Sequence, residues 1–568
     1  MIRMFSEHRV RACDSLDGAW RFSIDPTRCG ETDGWYRSIP NYDSVIVPSV
    51  WNTTLGLLEY EGAAWYQRDF YTKGGTLRFN FGAVMTKADI WLDGEWLGSH
   101  YGGFCQFSLI AQSVTEGMHT LTVRADNSFD KQSIPMAFVD WYHYGGIPRS
   151  VSVETLTGIT VLTNRMEYEL DDSLTSAKAA FVLEVYNATD SALTDEIRVR
   201  VFDKEITVKA TLDARETKEI YTDYFTVTDF ELWSPENPKL YGVEILTSTD
   251  DLYDRVGLRH VCVKDGKILL NGKEFEVRGA NRHEDHPDFG FAFPPAAMRR
   301  DIDIALDMGC NSLRGSHYPN SQVFVDMLDE CGMTFWSEIP IWGCGFSAEA
   351  LTDPVVLDRG EMMHREMVKY YYNHPSIIIW GMHNEIYSDA PESIGMASRY
   401  YKLLKDIGGN RIVTFATNHA HDDLCLEFCD IVCINQYNGW YVGDIKSWDG
   451  FIARYHEYAD SLGVGHKPVI ISEFGAAAVY GHRTFDTTRW SEEYQAELLG
   501  YCIELFHKDP RIVGTYIWQF TDIRTSLETG LTRARGFNNK GVLNEYRNPK
   551  AAYFRVKELY TRYAQEEK

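Results

Sequence analysis

The sequence has 568 residues, of which 44% are hydrophobic and 24% charged, as in an ordinary globular protein with room for several domains. Acidic residues outnumber basic ones by 82 to 56, and the net charge of −26 disfavours nucleic acids and anionic membrane surfaces as partners. The N-terminus carries no signal-peptide pattern and no window is long enough to cross a bilayer, so we expect a cytoplasmic protein. The 11 cysteines have no metal-type spacing, and no metal site is expected.

Two β-rich regions come first in the chain. Residues 1–153 contain short segments of alternating apolar and polar residues between Gly and Asn or Asp turns, and Asp93-Gly94 is a hairpin signal. Residues 154–260 continue the alternation, for example over 181–186, and about a hundred residues of this kind are typical of an immunoglobulin-like fold. The sequence therefore predicts two β-sandwiches in succession.

The pattern changes at residue 261, where strands begin to alternate with helical segments. Eight candidate strands begin near Phe275, Asn311, Met333, Ile377, Ile412, Ile431, Val469 and Gly514. Eight such units in about 300 residues predict a (β/α)8 barrel over residues 261–568, completed by a helix after Pro549.

Two glutamates end two of these apolar strands. The Ile-rich run 376–384 is followed by Glu385, and the run 468–472 is followed by Glu473. Barrel enzymes keep their catalytic groups at the C-terminal ends of the strands, and glycosidic bonds are usually cut by a pair of carboxyl groups. The placement predicts a retaining glycosidase, although a single Glu at a strand end is as often a structural group.

Other polar and aromatic residues follow the predicted strands, where a packed strand would otherwise be apolar. If the barrel forms, its mouth gathers the polar and aromatic residues at the strand ends, which are 281–284 with His283, Arg314, His317, Glu338, Asn384, Asn435, Tyr437 and Trp518. Each has a structural alternative, such as a hydrogen-bonded core histidine or a tryptophan that fills the barrel. Their coincidence at one face favours an active site.

Four sequence motifs together resemble glycoside hydrolase family 2. They are Asn384-Glu385, Ser-Glu-Phe-Gly at 472–475, Arg-His-Glu-Asp at 282–285 and the Leu-Trp-Ser-Pro segment of 232–238. The family combines a jelly-roll β-sandwich, an immunoglobulin-like domain and a catalytic TIM barrel. The resemblance therefore implies these three domains for residues 1–153, 154–260 and 261–568.

The segment 435–441, and Asp140 followed by 144–151, narrow the resemblance to the β-glucuronidase branch of the family. By this resemblance Glu385 is the acid/base and Glu473 the nucleophile. Repulsion between two close carboxylates raises the pKa of one of them, as that role requires. The resemblance also implies sugar contacts from Asp140, His283, His317, Asn384, Asn435, Tyr437, Tyr441 and Trp518.

The predicted substrate class depends on a short motif after the eighth strand. Asn538 and Lys540 match the Asn-x-Lys element with which the branch holds the sugar carboxylate. A buried ammonium would donate a charge-assisted hydrogen bond and reject neutral sugars, whereas the structural alternative is a loop lysine in solvent. The branch has an arginine where Ala534 stands here, so Arg533 or Arg535 is expected to take its place.

These observations predict an exo-acting β-glucuronidase that needs no cofactor. Its expected substrates are small or oligosaccharide β-uronides, and the change at Ala534 leaves a β-galacturonidase open, with a β-galactosidase less favoured. A catalytically silent carbohydrate-binding protein is the non-enzyme alternative, against which the presence of both carboxylates argues. By resemblance to the family we also expect a homo-oligomer.

Overall fold

The computed structural model describes residues 2–343, 347–526 and 532–566. The first unit is a β-sandwich in which apolar side chains of two antiparallel sheets face each other, with Leu77, Phe79 and Leu121 fully buried in its core. The sheet orders are β1-β12-β6-β9 and β3-β2-β5-β10-β7-β8. Strands β1 to β12 span Cys13–Ser15, Gly18–Asp25, Asp43–Val47, Ser49–Val50, Ala63–Thr72, Gly75–Phe81, Lys87–Leu92, Glu95–Tyr101, Phe107–Val114, Gly117–Asp126, Gly146–Ile147 and Val151–Leu156.

The second unit is a smaller sandwich, with sheet orders β13-β14-β17 and β16-β15-β19-β20 and with β18 also paired to β14. Strands β13 to β20 span Ile159–Leu170, Ala177–Asn187, Leu193–Val201, Lys204–Leu212, Thr217–Tyr221, Phe225–Val227, Tyr241–Leu246 and Asp251–Val256. Sheet pairing changes between Leu156 and Ile159, a few residues after the limit predicted at residue 153. The buried Trp233 donates its indole N–H to the Asp329 carbonyl at 2.8 Å, which fastens this unit to the barrel.

Strands β21 to β23, at Val261–Lys264, Lys267–Leu270 and Lys273–Glu274, lead into a closed barrel of parallel strands β24 to β31. The barrel strands span Val277–Arg282, Ser312–Gly315, Thr334–Glu338, Ile377–Asn384, Ile412–Thr417, Val432–Asn435, Val469–Glu473 and Ile512–Ile517. Helices α1 to α7 span Pro295–Asp307, Gln322–Cys331, Pro354–Tyr371, Ser393–Ile407, Ser447–Ser461, Glu492–His507 and Ala551–Glu566. A pair of short strands, β32 (Ile523–Arg524) and β33 (Phe537–Asn538), follows the eighth barrel strand.

The predicted strand starts lie within two residues of the observed ones, and the predicted fold of two sandwiches and a barrel is confirmed. Strands buried on both faces are near-continuous apolar runs, which is why this part of the sequence was informative. Among the described residues, no helix is long and apolar enough to span a bilayer.

The first sandwich packs directly on the barrel mouth. Trp141 and Tyr144 are buried in one apolar cluster with barrel residues Phe291 and Tyr318. The Tyr144 hydroxyl donates to Asp285 at 2.7 Å, at the end of the first barrel strand. This contact fixes the 139–145 segment of the first sandwich over the C-terminal ends of the barrel strands, where barrel enzymes bind their substrates.

Candidate active site

Arg314, on the second barrel strand, is the centre of the polar network in the barrel mouth. Its fully buried guanidinium donates to Glu473 Oε1 at 3.0 Å and to Asn384 Oδ1 at 2.7 Å. It also donates to both oxygens of Glu338, at 2.9 and 3.1 Å, and to Asn281 Oδ1 at 3.1 Å. A buried cation is tolerated only when it is paired in this way, so these side chains hold one another in fixed positions.

Asn435 joins this network to the second glutamate. Its Nδ2 donates to Glu385 Oε1 at 2.7 Å and to Asn384 Oδ1 at 3.1 Å, while its Oδ1 accepts from the Ser472 hydroxyl at 2.7 Å. Glu385 and Glu473, 88 positions apart in the sequence, are therefore linked through Arg314, Asn384 and Asn435. The predicted convergence of the two strand ends is what the barrel produces.

The Glu385 backbone has a φ of 49°, in the left-handed region that non-glycine residues seldom occupy. Its N–H donates to the Ala416 carbonyl of the next barrel strand at 2.9 Å, which helps to hold this conformation. Residues kept in such backbone conformations cluster at functional sites, since the surrounding structure must enforce them. The chain therefore turns at Glu385, the first residue beyond its strand.

The two glutamates interact electrostatically. Burial and the negative charge of Glu385 raise the pKa of Glu473 to about 8, although the Arg314 guanidinium acts in the opposite direction. The Tyr437 hydroxyl donates to Glu473 Oε2 at 2.6 Å. Because the repulsion belongs to the pair, the two carboxyl groups together keep one proton near neutral pH.

Rings from both the barrel and the first sandwich form one wall of the site. His317 stacks on Trp518 with ring centroids 5.2 Å apart, and Trp141 lies 5.5 Å from the same histidine. His317 Nδ1 lies 2.8 Å from Glu338 Oε1. Burial and the Arg314 charge lower the pKa of His317 well below its usual range, so the imidazole is neutral and acts as a hydrogen-bonding group.

Several buried polar atoms in and around the mouth, Trp141 Nε1 among them, have no hydrogen-bond partner within the described part of the chain. Two others are Asn384 Nδ2 and His283 Nε2, and the second ring nitrogen of His283, Nδ1, lies 3.1 Å from the Tyr318 hydroxyl. Buried polar groups are nearly always satisfied in native structures, so each unpaired atom needs an explanation. A bound polyhydroxyl ligand would supply it.

A second, cationic cluster lies where the first sandwich meets the loops after the sixth and eighth strands. Lys540 Nζ donates to the Tyr441 hydroxyl at 2.6 Å, and Arg533 donates to the same hydroxyl at 3.0 Å. Arg533 also donates to both oxygens of Asp140 at 2.8 Å, and Asn538 Nδ2 donates to one of them at 2.6 Å.

This cationic cluster has an excess of positive charge, because Asp140 faces two cations. Lys540 is only 1% exposed, and burial lowers the pKa of its ammonium against the raising effect of the Tyr441 hydroxyl. The Tyr441 ring meets the Tyr437 ring edge to face at 5.3 Å. Since Tyr437 bonds Glu473, the cationic cluster and the acid pair are two ends of one site.

Of the residues predicted from the sequence, only Arg535 lies outside this arrangement. Its guanidinium donates to Glu545 at 2.8 Å and to Asn539 at 2.9 Å, and its side chain is 42% exposed. Of the two arginines that flank Ala534, Arg533 is therefore the one that lies at the site, next to Asp140. The structure brings together Asp140, His283, His317, Asn384, Glu385, Asn435, Tyr437, Tyr441, Glu473, Trp518, Arg533, Asn538 and Lys540.

Three residues of the site were given no role from the sequence: Arg314 and Glu338 were expected only to lie at the barrel mouth, and Trp141 was not predicted. Arg314 and Glu338 carry charges within barrel strands, and a charge in such a strand must be paired, which is a signal that the sequence does contain. Trp141 enters from the first sandwich beside Asp140, whose predicted sugar contact was the one signal that this segment reaches the barrel mouth.

A closed parallel barrel with an acid pair at its C-terminal mouth, capped by a β-sandwich, defines a glycoside hydrolase. The descriptions "Glycosyl hydrolases family 2, sugar binding domain", "Glycosyl hydrolases family 2" and "Glycosyl hydrolases family 2, TIM barrel domain" match residues 13–157, 160–259 and 261–565. The chain belongs to glycoside hydrolase family 2. The predicted family and enzyme class are thus confirmed.

Similar proteins extend over nearly the whole chain. A β-glucuronidase of Streptococcus agalactiae is 27% identical over 98% of this chain and 96% of its own, and the Homo sapiens β-glucuronidase is 28% identical over 99% and 92%. A β-galacturonidase of Eisenbergiella tayi, solved with galacturonate, is 33% identical with a TM-score of 0.91, covering 99% of both chains. A Ruminococcus gnavus β-glucuronidase structure is 25% identical with a TM-score of 0.87, also covering 99% of both.

Proposed function

We propose that this protein is an exo-acting retaining β-uronidase, which removes a terminal β-linked uronic acid, with β-glucuronides as the leading substrates. The observation that carries the proposal is the buried Lys540 with Arg533, placed at the other end of the site from the acid pair. The net charge of the chain is −26, so a site with two cations and one carboxylate stands out locally. Its surplus positive charge can bind an anionic ligand through charge-assisted hydrogen bonds.

In the proposed reaction, Glu473 attacks the anomeric carbon while Glu385 donates a proton to the leaving oxygen, forming a glycosyl ester on Glu473 and releasing the aglycone. Glu385, now a carboxylate, then takes a proton from water, whose oxygen displaces the ester and regenerates both groups. The anomeric configuration is retained because the carbon is inverted twice. These roles are the ones expected from the resemblance to the family.

The shared proton of the pair belongs on Glu385 in this scheme. Arg314 and Tyr437 both donate to the Glu473 carboxyl, and donors of this kind stabilise its charged form. Mutual repulsion then keeps the proton on the partner, where the leaving oxygen needs it. The pair thus reaches the ionisation state of a nucleophile and an acid near neutral pH.

The sugar-binding roles follow from unused hydrogen-bonding capacity. Asn384 Nδ2 supports a hydrogen bond to the sugar 2-hydroxyl, and His283 Nε2 supports a bond to another hydroxyl. Trp518 provides an apolar face for the ring, while its neighbour His317 is neutral and able to share a proton. Further contacts are proposed for Asp140, Asn435, Tyr437, Tyr441, Arg533, Asn538 and Lys540, and none for Arg535.

The cations supply the selectivity for uronides. A sugar carboxylate beside Lys540 would accept a charge-assisted hydrogen bond in a buried place, where such bonds are strongest. A neutral sugar would leave the ammonium buried without a counter-ion, which is costly. The Lys540 ammonium therefore both binds uronides and disfavours neutral sugars.

A β-galacturonidase is the second candidate. The Eisenbergiella tayi β-galacturonidase is 33% identical to this chain, more than the β-glucuronidases described above. The arginine beside Asp140 is Arg533, one position before Ala534, where the β-glucuronidase branch has its arginine. This shift in the sequence also favours altered contacts at the sugar C4 or C6. Both candidates use the same carboxylate clamp and differ only in the epimer that is preferred.

The test compares the turnover of nitrophenyl β-glucuronide, β-galacturonide and β-galactoside by the purified protein. We expect efficient cleavage of at least one uronide and little cleavage of the galactoside. The ratio of kcat/KM for the two uronides decides between the candidates. Equal or better cleavage of the galactoside would contradict uronide recognition altogether.

We also propose, from the family resemblance, that the protein forms a homo-oligomer and, as a separate expectation, that it works in the cytoplasm. Light scattering on the purified full-length protein measures the first, and cell fractionation measures the second. A monomer at micromolar concentration, or activity confined to the culture medium, would contradict the respective proposal.

A further inference from the structure

A groove of about 380 Å³ opens on the C-terminal face of the barrel, between the loops that follow the fifth and sixth strands. Its walls include His421, Gln436 and Val442, and Phe451 and Arg454 on α5 close its outer side. Cavities of about 300 to 1,000 Å³ are the usual size of small-ligand sites. None of the side chains assigned above to the sugar ring or to the acid pair lines it.

The two loops that form the groove follow directly in the chain from residues that touch the proposed acid/base. Gln436 follows Asn435, whose amide donates to Glu385 at 2.7 Å, and the 418–422 loop follows the strand whose Ala416 carbonyl accepts from the Glu385 N–H at 2.9 Å. Both walls of the groove thus start beside residues that touch Glu385. In a retaining glycosidase the acid/base faces the leaving oxygen, so the aglycone extends on this side.

The chemistry of the groove is mixed and close to neutral. His421 Nε2 is buried without a hydrogen-bond partner within the described ranges, and its ring packs edge to face on Phe451 at 4.8 Å. Burial and the Arg454 charge lower the pKa of His421, while a backbone hydrogen bond with Phe451 and the Asp422 charge act in the opposite direction. The net effect keeps the imidazole uncharged at neutral pH. Asp422 and Arg454 offset each other in charge, while Val442 and Phe451 give apolar surface.

From this combination we infer that the groove is an aglycone subsite for a neutral sugar, with His421 as a hydrogen-bonding partner of a sugar hydroxyl. A pyranose presents hydroxyl groups at its edge and C–H groups on its faces, which fit an unpaired imidazole nitrogen beside apolar side chains. The inference rests on the proposed β-uronidase function and names the substrate class of that site as uronosyl oligosaccharides. A simple aromatic aglycone would leave His421 Nε2 unpaired.

The test uses two substrates with the same uronic acid, a nitrophenyl β-uronide and a β-uronosyl disaccharide that ends in a neutral hexose. For His421→Leu we expect the ratio of kcat/KM, disaccharide over nitrophenyl substrate, to fall by about 2- to 10-fold, the loss of one hydrogen bond. Val442→Trp fills the groove and should lower the same ratio; Val442 is 59% exposed, so folding tolerates this change. His482→Leu, on the loop after the seventh strand and not among the residues that line the groove, is the matched control.

A lower ratio in both variants, with the ratio of the control intact, supports the subsite. An unchanged ratio in the folded variants overturns it, and Val442→Trp decides alone if His421→Leu does not fold. If the wild-type protein cleaves the nitrophenyl uronide but not the disaccharide, the subsite is wrong and the proposed function stands. If it cleaves no uronide at all, the proposed function itself fails.

Discussion

The acid pair and the cationic cluster are built in different ways. The acid pair is held by side chains at the ends of barrel strands, with Arg314 and Asn435 joining Glu473 to Glu385 through bonds of 2.7 to 3.1 Å. The cationic cluster combines Asp140 of the first sandwich with residues of two long loops.

The difference indicates how chemistry and specificity are divided in this fold. Strand ends are rigid, which suits groups that must meet one anomeric carbon within tenths of an ångström. Loops on a rigid scaffold tolerate change, so the groups that select the substrate can vary while the reaction stays the same. Substitutions in the acid pair should therefore lower the rate on every substrate, whereas substitutions in the cationic cluster should change which substrate is preferred.

The largest effect is expected at the strand ends. Glu473→Gln removes the nucleophile and should lower kcat on every uronide by at least about 10³-fold, since groups that act as a unit lose most of their rate together. Glu385→Gln should cost about 10²- to 10⁴-fold, the usual contribution of a general acid. Steady-state kinetics with a nitrophenyl uronide measure both, and a Glu473→Gln protein with ordinary activity would contradict the assignment.

A substitution in the cationic cluster should reduce the turnover of uronides and spare that of neutral sugars. Lys540→Met is expected to lower kcat/KM for uronides by about 10²- to 10³-fold, because the sugar carboxylate would then be buried without its partner. Residual turnover of a neutral galactoside should stay the same or rise. An equal loss on both substrates would mean that Lys540 supports the fold of the site and does not recognise the carboxylate.

The pH dependence reports on the acid pair. Because burial and Glu385 raise the pKa of Glu473 to about 8, the pair keeps its shared proton below that pH and loses it above. We expect kcat/KM on the nitrophenyl uronide to fall as the pH rises through about 8. A rate that stays constant well above this value, with the protein still folded, would show that no shared proton is required.

The smallest effect separates the two arginines beside Ala534. Arg533→Met should lower uronide turnover by about 10-fold, since it loses bonds to Asp140 and Tyr441. Arg535→Met should keep turnover within about 2-fold, because that side chain is 42% exposed and pairs with Glu545. A larger loss for Arg535→Met than for Arg533→Met would show that Arg535, and not Arg533, acts at the site.

Strand ends and loops also differ in how well their positions can be predicted from the sequence. The strand ends were predictable, since β27 and β30 are apolar runs whose C-terminal ends must converge in a barrel. Glu473 is the last residue of β30, and Glu385 directly follows β27. The choice between Arg533 and Arg535 was not, because loop direction depends on tertiary contacts such as Asp140. Trp141 was missed although its neighbour Asp140 was predicted, because the contact of its ring with His283 and His317 depends on how the two domains pack.

The most direct test of the central claim is to trap the covalent intermediate. The protein is incubated with a 2-deoxy-2-fluoro-β-uronosyl fluoride, whose ester is hydrolysed slowly, and the labelled peptide is identified by mass spectrometry. We predict one uronosyl group per chain, attached to Glu473. A label on Glu385, or full turnover with no covalent species under conditions that trap known retaining enzymes, would contradict the account.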